Sequence, residues 1–465
     1  MLPSFARPTR SALAAEATGS YAARMGPLLI LGGGLAGLSA AHFSDSPWLL
    51  VEKSSRLGGL ARTEITPEGF HFDATGHWLH LRDPEMKSWV LEKLLPGRLE
   101  TLQRRAAIFS RGVFTRFPYQ INTHGLPAEI VVENVLGFVE AHWGERGRAL
   151  RDRQPANFEE FVLRHLGEGF AKNFMLPYNE KLWTVPPKEL SAAWCGRFVP
   201  KPSLREVLEG ALGMGSDTAG YNASFLYPAA GGIESLPKAI VAGLKGGEVR
   251  TGIEPTAIDA RARRVRFSDG SETSYRALVA SIALPRLVEL VALGSGGLPH
   301  EVSDAARQLR ATTVTYVNLG VRGAPEQPWH WVYLPEPEFR AYRVGSPAAV
   351  LPSLAPSGHT SFYVEFSHRG DLSRSDAAAW AQAEVVRAKL VRDPHDIVLT
   401  QVREIPQAYV LYDTHYGDAM KRISDWLDSF GLLRAGRYGQ WEYSSMEDAL
   451  LSGRTAARAA QGART

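Results

Sequence analysis

The segment PLLILGGGLAGLSAAHF (27–43) restricts the fold of this chain more than any other part of the sequence. An unbroken apolar run ends in Gly32, Gly34 and Gly37, spaced as G-x-G-x-x-G, and a helical pattern follows. A buried parallel strand has this apolar pattern, and the glycines permit a tight turn, close approach of a pyrophosphate, and close packing of helix on strand. The next apolar run ends at Glu52, where a carboxylate would bind ribose hydroxyls. The motif alone is compatible with an ordinary glycine turn, but the combination predicts a Rossmann-like dinucleotide-binding unit.

Composition narrows the class of protein. With 465 residues, 45% hydrophobic and 22% charged, the chain suits two or three globular domains. Lys plus Arg number 52 against 49 Asp plus Glu, a balance too even for a nucleic-acid-binding protein. Cys195 is the only cysteine, which excludes an internal disulfide and predicts a cytoplasmic location. No apolar run reaches the roughly 18 residues of a membrane helix, so no integral membrane segment is predicted. Residues 1–25 are interpreted as a flexible leader, with Met25 as an alternative start.

A second glycine motif follows Glu52. The stretch KSSRLGGLART carries Lys53, Arg56 and the doublet of Gly58 and Gly59. The glycines bring the backbone close to a bound dinucleotide, and an arginine at this point can meet a phosphate. The stretch resembles the glycine-doublet motif of the FAD-binding amine oxidase and protoporphyrinogen oxidase superfamily. The resemblance implies FAD as the cofactor; a glycine-rich surface turn is the alternative.

Two later segments extend this resemblance. AGGIESLPKAI (230–240) resembles the glycine turn and helix of the superfamily. GRYGQWEYSSMEDALLSG (436–453) resembles its C-terminal segment, whose glycines and helix start close over the flavin. Gly436, Gly439 and Met446 are therefore implied cofactor contacts. A chain that begins and ends at one cofactor implies a discontinuous FAD-binding domain.

The predicted fold class is α/β: a discontinuous, Rossmann-like FAD-binding domain with an inserted helical segment and a mixed-sheet substrate domain. Changes of composition near residues 100, 225, 311 and 411 suggest the boundaries. The predicted division is an FAD-binding domain of residues 26–100, 225–310 and 411–465, a mainly helical substrate domain of residues 101–224, and a sheet-rich substrate domain of residues 311–410.

A narrower resemblance covers most of the chain after residue 26. FPYQINTHGLP (117–127), PYNEKLWTVPP (177–187), AYRVG (341–345) and GRYGQWEY (436–443) are similar to signature segments of the UDP-galactopyranose mutases. The resemblance implies a reaction without net redox change on a UDP-sugar. In that family, N5 of reduced FAD attacks the anomeric carbon and displaces UDP, and pyranose and furanose forms interconvert. The reductant is not recognisable in the sequence.

The resemblance also implies roles for individual residues. Arg343 is the implied diphosphate ligand, because a diphosphate favours a planar, bidentate donor. Asn179 is implied beside the sugar and flavin, and together with His77 these residues form the predicted catalytic set. The implied substrate-binding residues are Phe117, Gln120, Trp183, Arg197, Tyr409 and Tyr443. The alternative for the aromatic residues is a place in the core with the polar atom satisfied. The alternative for Arg343 is a surface position on a strand.

Several positions depart from the family pattern. The position of the family's second arginine holds Phe198, with Arg197 one residue earlier. Glu447 stands where an asparagine is expected, and a carboxylate near a diphosphate would repel it, so this side chain either points away or serves another substrate. These departures keep open a conventional FAD-dependent oxidoreductase, which transfers a hydride from substrate to flavin.

The stretch FHFDATGHWLH (70–80) offers three histidines and an aspartate, but no metal site is predicted, because the H-x-H and H-E-x-x-H spacings are absent. The stretch instead resembles the family segment that runs along the flavin ring. The match selects Gly76 and His77, with Thr75 in place of a glycine. Asp73 is predicted to hold the turn.

Overall fold

In the computed structural model the described residues are 26–195, 199–215 and 223–462. Strands are short in the first part of the chain and long between residues 311 and 410. They are β1 (Leu28–Leu31), β2 (Trp48–Glu52), β3 (Thr63–Ile65), β4 (His71–Asp73), β5 (Leu99–Gln103), β6 (Ala106–Ser110), β7 (Val113–Arg116), β8 (Ser224–Pro228), β9 (Gly247–Thr251), β10 (Pro255–Asp259), β11 (Arg264–Phe267), β12 (Glu272–Ser274), β13 (Ala277–Ala280), β14 (Ala311–Arg322), β15 (Trp331–Tyr333), β16 (Arg343–Gly345), β17 (His359–His368), β18 (Ile397–Val410) and β19 (Leu433–Arg434).

Helices dominate residues 128–183. The α-helices are α1 (Leu35–His42), α2 (Pro84–Ser88), α3 (Ala128–Trp143), α4 (Glu145–Arg151), α5 (Phe158–Phe170), α6 (Leu176–Trp183), α7 (Leu204–Ala211), α8 (Ser235–Ala242), α9 (Leu284–Gly294), α10 (His300–Gln308), α11 (Pro347–Val350), α12 (Arg374–Arg387), α13 (Tyr416–Asp428), α14 (Gly436–Gln440) and α15 (Met446–Gly462). Short 3₁₀ turns occur at Tyr119–Ile121, Pro187–Glu189, Pro352–Leu354 and Pro394–Asp396, and π turns at Trp89–Leu94 and Ala171–Met175. No helix of the described chain is long and apolar enough to cross a bilayer.

A parallel sheet with the order β19-β13-β1-β2-β9 forms the first layer of the fold. Its central strand β1 is apolar at every position because both faces are covered. Leu28 and Ile30 pack in one core with α1 and α15, whereas Leu29 and Leu31 pack in a second core with α9 and α13. The Rossmann-like α/β architecture predicted from the sequence is therefore confirmed.

The last helix lies on the first one. A Cβ on Gly453 of α15 would stand 2.1 Å from the carbonyl oxygen of Ala36, so the two helices approach at backbone distance. Ser39 also donates from Oγ to the carbonyl oxygen of Leu450 at 2.6 Å. Both ends of the described chain therefore meet at the same face of the parallel sheet.

A second, mixed sheet has the order β18-β14-β17-β16-β15-β6-β7. Its pairs are antiparallel except for β15 with β6. One face carries Val317 and Val364 and packs against α12. The opposite face carries polar side chains, among them the buried Asn318 and Glu365. The sheet thus presents polar chemistry on the face away from α12.

Strands β6 and β7 belong to this mixed sheet, although they lie within the segment predicted as mainly helical. The helices that follow cross closely at glycines: a Cβ on Gly167 would stand 2.0 Å from the carbonyl oxygen of Gly137. Gly167 has φ +81 inside Phe158–Phe170, a conformation that favours glycine.

The division into domains stays a prediction. The pairing of β6 with β15 shows that the two predicted substrate domains share one sheet.

Candidate active site

Two glycine-rich turns meet at the N-terminal end of α1. The amide of Gly33 donates to the Glu52 carboxylate at 2.7 Å, and the amide of Gly58 donates to the carbonyl oxygen of Gly33 at 2.8 Å. Gly34 and Gly58 form a parallel bridge. A Cβ on Gly59 would stand 3.0 Å from the Cα of Gly34. The two motifs found in the sequence therefore build one surface lined by backbone.

This surface has the properties of an anion cradle. Gly34 precedes the first turn of α1, whose amides have no side-chain cap. Helix N-termini of this kind bind phosphate through free amides and the helix dipole. A Cβ on Gly37 would stand 1.9 Å from the carbonyl oxygen of Gly32, so the third glycine serves the packing of helix on strand. The residues present fit the diphosphate of a dinucleotide.

Most charged residues beside the cradle make contacts with other groups of the protein. The Glu52 carboxylate accepts a second bond from the amide of Ser54 at 2.8 Å and retains lone pairs for a ribose hydroxyl. Arg56 is half exposed and pairs with Glu234 at 2.6 Å, which ties the glycine doublet to the 230–240 turn. Lys53 is exposed. The phosphate role predicted for Arg56 stays a prediction, and its present contact is structural.

The C-terminal glycines pack against the parallel-sheet layer, one on the cradle helix α1 and the other at the end of β13. A Cβ on Gly436 would stand 2.7 Å from the Cβ of Ala36 in α1. A Cβ on Gly439 would stand 2.4 Å from the carbonyl oxygen of Ala280, at the end of β13. Met446 begins α15. The segment thus closes over the cradle helix, and its contact with the cofactor stays a prediction.

Asp73 fastens three segments together. Its carboxylate accepts bonds from Thr63 Oγ1 at 2.6 Å, Tyr227 Oη at 2.7 Å and the amide of Ile233 at 3.3 Å. Burial raises the pKa of Asp73 to about 6, and these three donors oppose the shift. The side chain therefore holds the β3–β4 hairpin to β8 and the 230–240 turn.

Replacing Asp73 by asparagine should change how stability depends on pH. The carboxyl titrates near 3.8 when unfolded and about 6 when folded, so its contribution is complete below 3.8 and is lost as the pH rises through 6. The free energy of unfolding of the wild type minus that of Asp73→Asn should fall by roughly 3 kcal/mol between about pH 3 and pH 7. Urea unfolding at a series of pH values measures this. The exposed Asp371→Asn is the control, and a flat difference would refute the assignment.

His77 follows a left-handed turn. Thr75 has φ +68, and a Cβ on Gly76 would stand 2.5 Å from Tyr363 Oη, so the turn lies against the polar face of the mixed sheet. Burial, helped by Arg437 and Arg343, lowers the pKa of His77 to about 4, which makes the ring neutral at physiological pH. Among the described residues its Nδ1 has no hydrogen-bond partner. The ring of His77 is thus neutral and buried, and the backbone of Thr75 partly opposes the lowering of its pKa.

Arg343 is held by a buried carboxylate. Its Nε and Nη2 both donate to Glu365, the latter at 2.9 Å, and Tyr342 Oη donates to the same carboxylate at 3.0 Å. Glu365 is 1% exposed. Burial alone would lower the pKa of Arg343, but Glu365 and the neighbouring tyrosines raise it above its usual value. The guanidinium is therefore permanently charged and fixed in direction, with Nη1 uncommitted to Glu365.

Several tyrosines lie near Arg343, whose guanidinium is 5.5 Å from the centre of the Tyr342 ring. Tyr178 contacts Tyr333 edge to face at 5.2 Å, and Tyr409 stacks on Tyr443 at 5.9 Å, between ring centroids. Burial raises the pKa of the phenols of Tyr178, Tyr333 and Tyr409, and Arg343 partly opposes the shift in each. We call the set of Arg343 and these four tyrosines the tyrosine chamber. Sequence reasoning selected Tyr409 and Tyr443 and missed the other two, although Tyr178 lies within PYNEKLW.

Asn179 and Trp183 lie beside the chamber and bond to each other. Asn179 donates to the carbonyl oxygen of Met175 at 2.7 Å and accepts from Trp183 Nε1 at 3.1 Å. The Trp183 ring meets Tyr409 at 5.8 Å. In this arrangement Asn179 orients Trp183 against the chamber wall, and its predicted catalytic role stays a prediction.

Of the remaining substrate candidates, Phe117 lies beside the tyrosine chamber. Phe117 packs on Tyr333 at 5.1 Å, and the guanidinium of Arg104 lies over its ring at 4.8 Å. Arg104 was not selected from the sequence, which offers no motif around it. Gln120 is buried and donates to the carbonyl oxygen of Pro200 at 3.1 Å. Arg197 lies outside the described residues.

Glu447, one of the positions that depart from the family pattern, makes its contacts with backbone amides. It is buried, and its carboxylate accepts the amides of Arg82 and of Asp83, the latter at 2.7 Å. Asp83 caps α2, so the carboxylate stabilises the entry to that helix. This contact favours the first alternative, in which the side chain points away from an anionic ligand.

In the described part of the chain no group of three His, Cys, Asp or Glu residues could hold a metal ion.

A glycine cradle for a dinucleotide on a parallel sheet, together with a polar chamber on a second sheet, is typical of a flavoprotein that binds FAD. The chain belongs to the flavin containing amine oxidoreductase family, whose model matches residues 35–461. FAD is accordingly its cofactor, and it is a flavin-dependent enzyme of the amine oxidase superfamily.

Solved structures agree with this assignment. The chain is similar to reduced UDP-galactopyranose mutase, with 25% identity, 94% of each chain covered and a TM-score of 0.84. It also shares the fold of a structure named as a protoporphyrinogen oxidase from Exiguobacterium sp. 255-15, with 18% identity, 93% and 98% covered, and a TM-score of 0.71. A putrescine oxidase double mutant matches with 15% identity, 94% and 99% covered, and a TM-score of 0.60.

Proposed function

We propose that the protein interconverts the pyranose and furanose forms of a UDP-sugar. The observation that carries this proposal is Arg343, a charged guanidinium held by the buried Glu365 and close to several tyrosines. A diphosphate that is both a binding handle and a leaving group requires a fixed cation with hydroxyl donors around it. The likeness to UDP-galactopyranose mutase over 94% of both chains supports the same reaction class.

The chamber residues have distinct tasks in this proposal. Arg343 binds the diphosphate and stabilises the charge that develops on it when the bond to the sugar breaks. Tyr409 and Tyr443 add hydroxyl donors, and burial raises the pKa of the Tyr409 phenol, which therefore stays protonated at neutral pH. Reduced flavin, when bound, supplies the nucleophile through N5. The His77 ring stays neutral at physiological pH and adds no positive charge that would compete for the diphosphate.

A conventional oxidoreductase is the second candidate, and one observation favours it. The pair of Arg343 with Glu365 has no net charge, and Arg437 gives its donors to the carbonyl oxygens of Ser444 and Ala408. A chamber of this kind, lined by aromatic rings, also suits an apolar or amine substrate that loses a hydride. The fold likeness to protoporphyrinogen oxidase and putrescine oxidase is compatible with it.

The redox state of the flavin separates the two candidates. We expect the dithionite-reduced protein to convert UDP-galactofuranose to UDP-galactopyranose, and the oxidised protein to show no turnover. Chromatography of the nucleotide sugars measures this, and an oxygen electrode with amines or porphyrinogens tests the other candidate. Oxygen consumption together with no turnover and no UDP binding in the reduced state would reject the mutase.

A further inference from the structure

The loop between β15 and β16 leads directly into Arg343 and turns its backbone carbonyls inward. Leu334, Glu336, Phe339 and Ala341 are all buried. Within the loop the Glu336 carbonyl accepts the amide of Phe339 at 3.2 Å. A buried carbonyl without a partner costs free energy, so the other carbonyls need a donor from elsewhere in the fold. That donor is one side chain, Lys181.

The ammonium of Lys181 donates hydrogen bonds to these carbonyl oxygens. Its Nζ lies 2.7 Å from the carbonyl oxygen of Glu336 and 2.8 Å from that of Phe339. It reaches the carbonyl oxygen of Ala341 at 3.4 Å and also contacts that of Leu334. Three N–H groups thus serve four acceptors around one positive charge. The arrangement resembles the coordination of a cation by backbone carbonyls more than a surface ion pair.

The same loop is held from its other side by an anion. Glu384 of α12 accepts the amides of Arg340 at 2.7 Å and Ala341 at 2.9 Å. Ala341 is therefore fixed through its amide by Glu384 and through its carbonyl by Lys181. The next residues are Tyr342 and Arg343, so a shift of Ala341 moves the guanidinium directly.

Lys181 also links two walls of the chamber. It belongs to α6, which carries Asn179 and Trp183, whereas the loop leads into the strand that carries Arg343. We propose that Lys181 is a positioning residue that sets Arg343 relative to α6 by holding the 334–341 carbonyls. Its effect on ligand binding rests on the proposed function, whereas its effect on the loop does not.

The test compares Lys181→Met with Lys181→Arg and with the control Lys172→Met. Lys172 is two-thirds exposed and pairs only with Glu133 among the described ion partners. In Lys181→Met we expect faster amide hydrogen exchange over residues 334–345 and roughly 100-fold lower turnover, because small displacements of positioned groups are that costly. UDP affinity should fall in parallel. Lys181→Arg should recover much of both, and Lys172→Met should match the wild type.

Chemical rescue sharpens the test. In Lys181→Ala, propylammonium should restore exchange protection of residues 334–345, and the neutral propanol should not. Wild-type exchange over 334–345 in Lys181→Met would overturn the proposal. Global unfolding of both variants without rescue would also overturn it, because Lys181 would then be a general structural residue. If the wild type binds no UDP, the proposed function fails while the exchange and rescue results still decide the role of Lys181.

Discussion

Replacing Arg343 by methionine should lower turnover roughly 100- to 1,000-fold, the usual effect of removing one donor that stabilises charge in a transition state. UDP affinity should fall as well, while FAD stays bound, because the glycine cradle is built from other residues. Isothermal titration with UDP, the flavin absorbance spectrum and turnover of the reduced protein measure the three quantities.

The same substitution has a second consequence, which must be separated from the first. Without Arg343 the buried Glu365 loses its counterion, and breaking a buried pair costs about 3–5 kcal/mol. A loss of activity in Arg343→Met alone would therefore mix binding with stability. The double variant Arg343→Met with Glu365→Gln removes the stranded charge and keeps the hydrogen bond from Tyr342.

The double variant should regain most of the lost free energy of unfolding and none of the UDP affinity. Recovery of both would show that Arg343 is only a structural partner of Glu365, and the site assignment would fail. Unchanged UDP affinity in a stable Arg343→Met variant would also reject the assignment of Arg343 to the UDP site.

The sequence predicted the cradle more completely than the chamber, for a physical reason. A backbone cradle such as the one that Gly34 and its neighbours form depends on local conformation, so the spacing of glycines along the chain contains the information. The partner of Arg343 is different. Glu365 lies 22 residues away on β17, and only the register of β16 with β17 brings the two together. No motif in the sequence encodes that register.

Lys181 illustrates the same limit. It lies within PYNEKLW, a segment that the sequence did single out, yet its partners are backbone carbonyls 153 to 160 residues away. Backbone acceptors have no residue identity, so no pattern can predict them. Glu447 is a related case, because a residue that looks like an electrostatic conflict in the sequence proves to accept two backbone amides.

Replacing Gly34 by alanine should weaken FAD binding about 10- to 100-fold while the apoprotein keeps its stability. Gly34 has φ −76 and ψ −179, an extended conformation that alanine adopts freely. Within the protein its new Cβ would meet only the Cα of Gly59 at 3.7 Å, an ordinary contact. The methyl group would instead occupy the surface that a pyrophosphate must approach, and one surplus methyl in a packed site costs about 1–3 kcal/mol.

Two matched glycines make this result specific to the cradle. Gly37→Ala should destabilise the apoprotein itself, because its Cβ would stand 1.9 Å from the carbonyl oxygen of Gly32. Gly417→Ala, with no atom within 4 Å of its Cβ, should leave FAD binding unchanged and should not lower the stability, because alanine is favoured over glycine in a helix such as α13. Thermal unfolding of the apoprotein and fluorescence titration with FAD distinguish the three variants. If Gly34→Ala bound FAD as tightly as the wild type, the pyrophosphate would not cross the backbone at Gly34, and the cradle would have to be assigned elsewhere on the sheet.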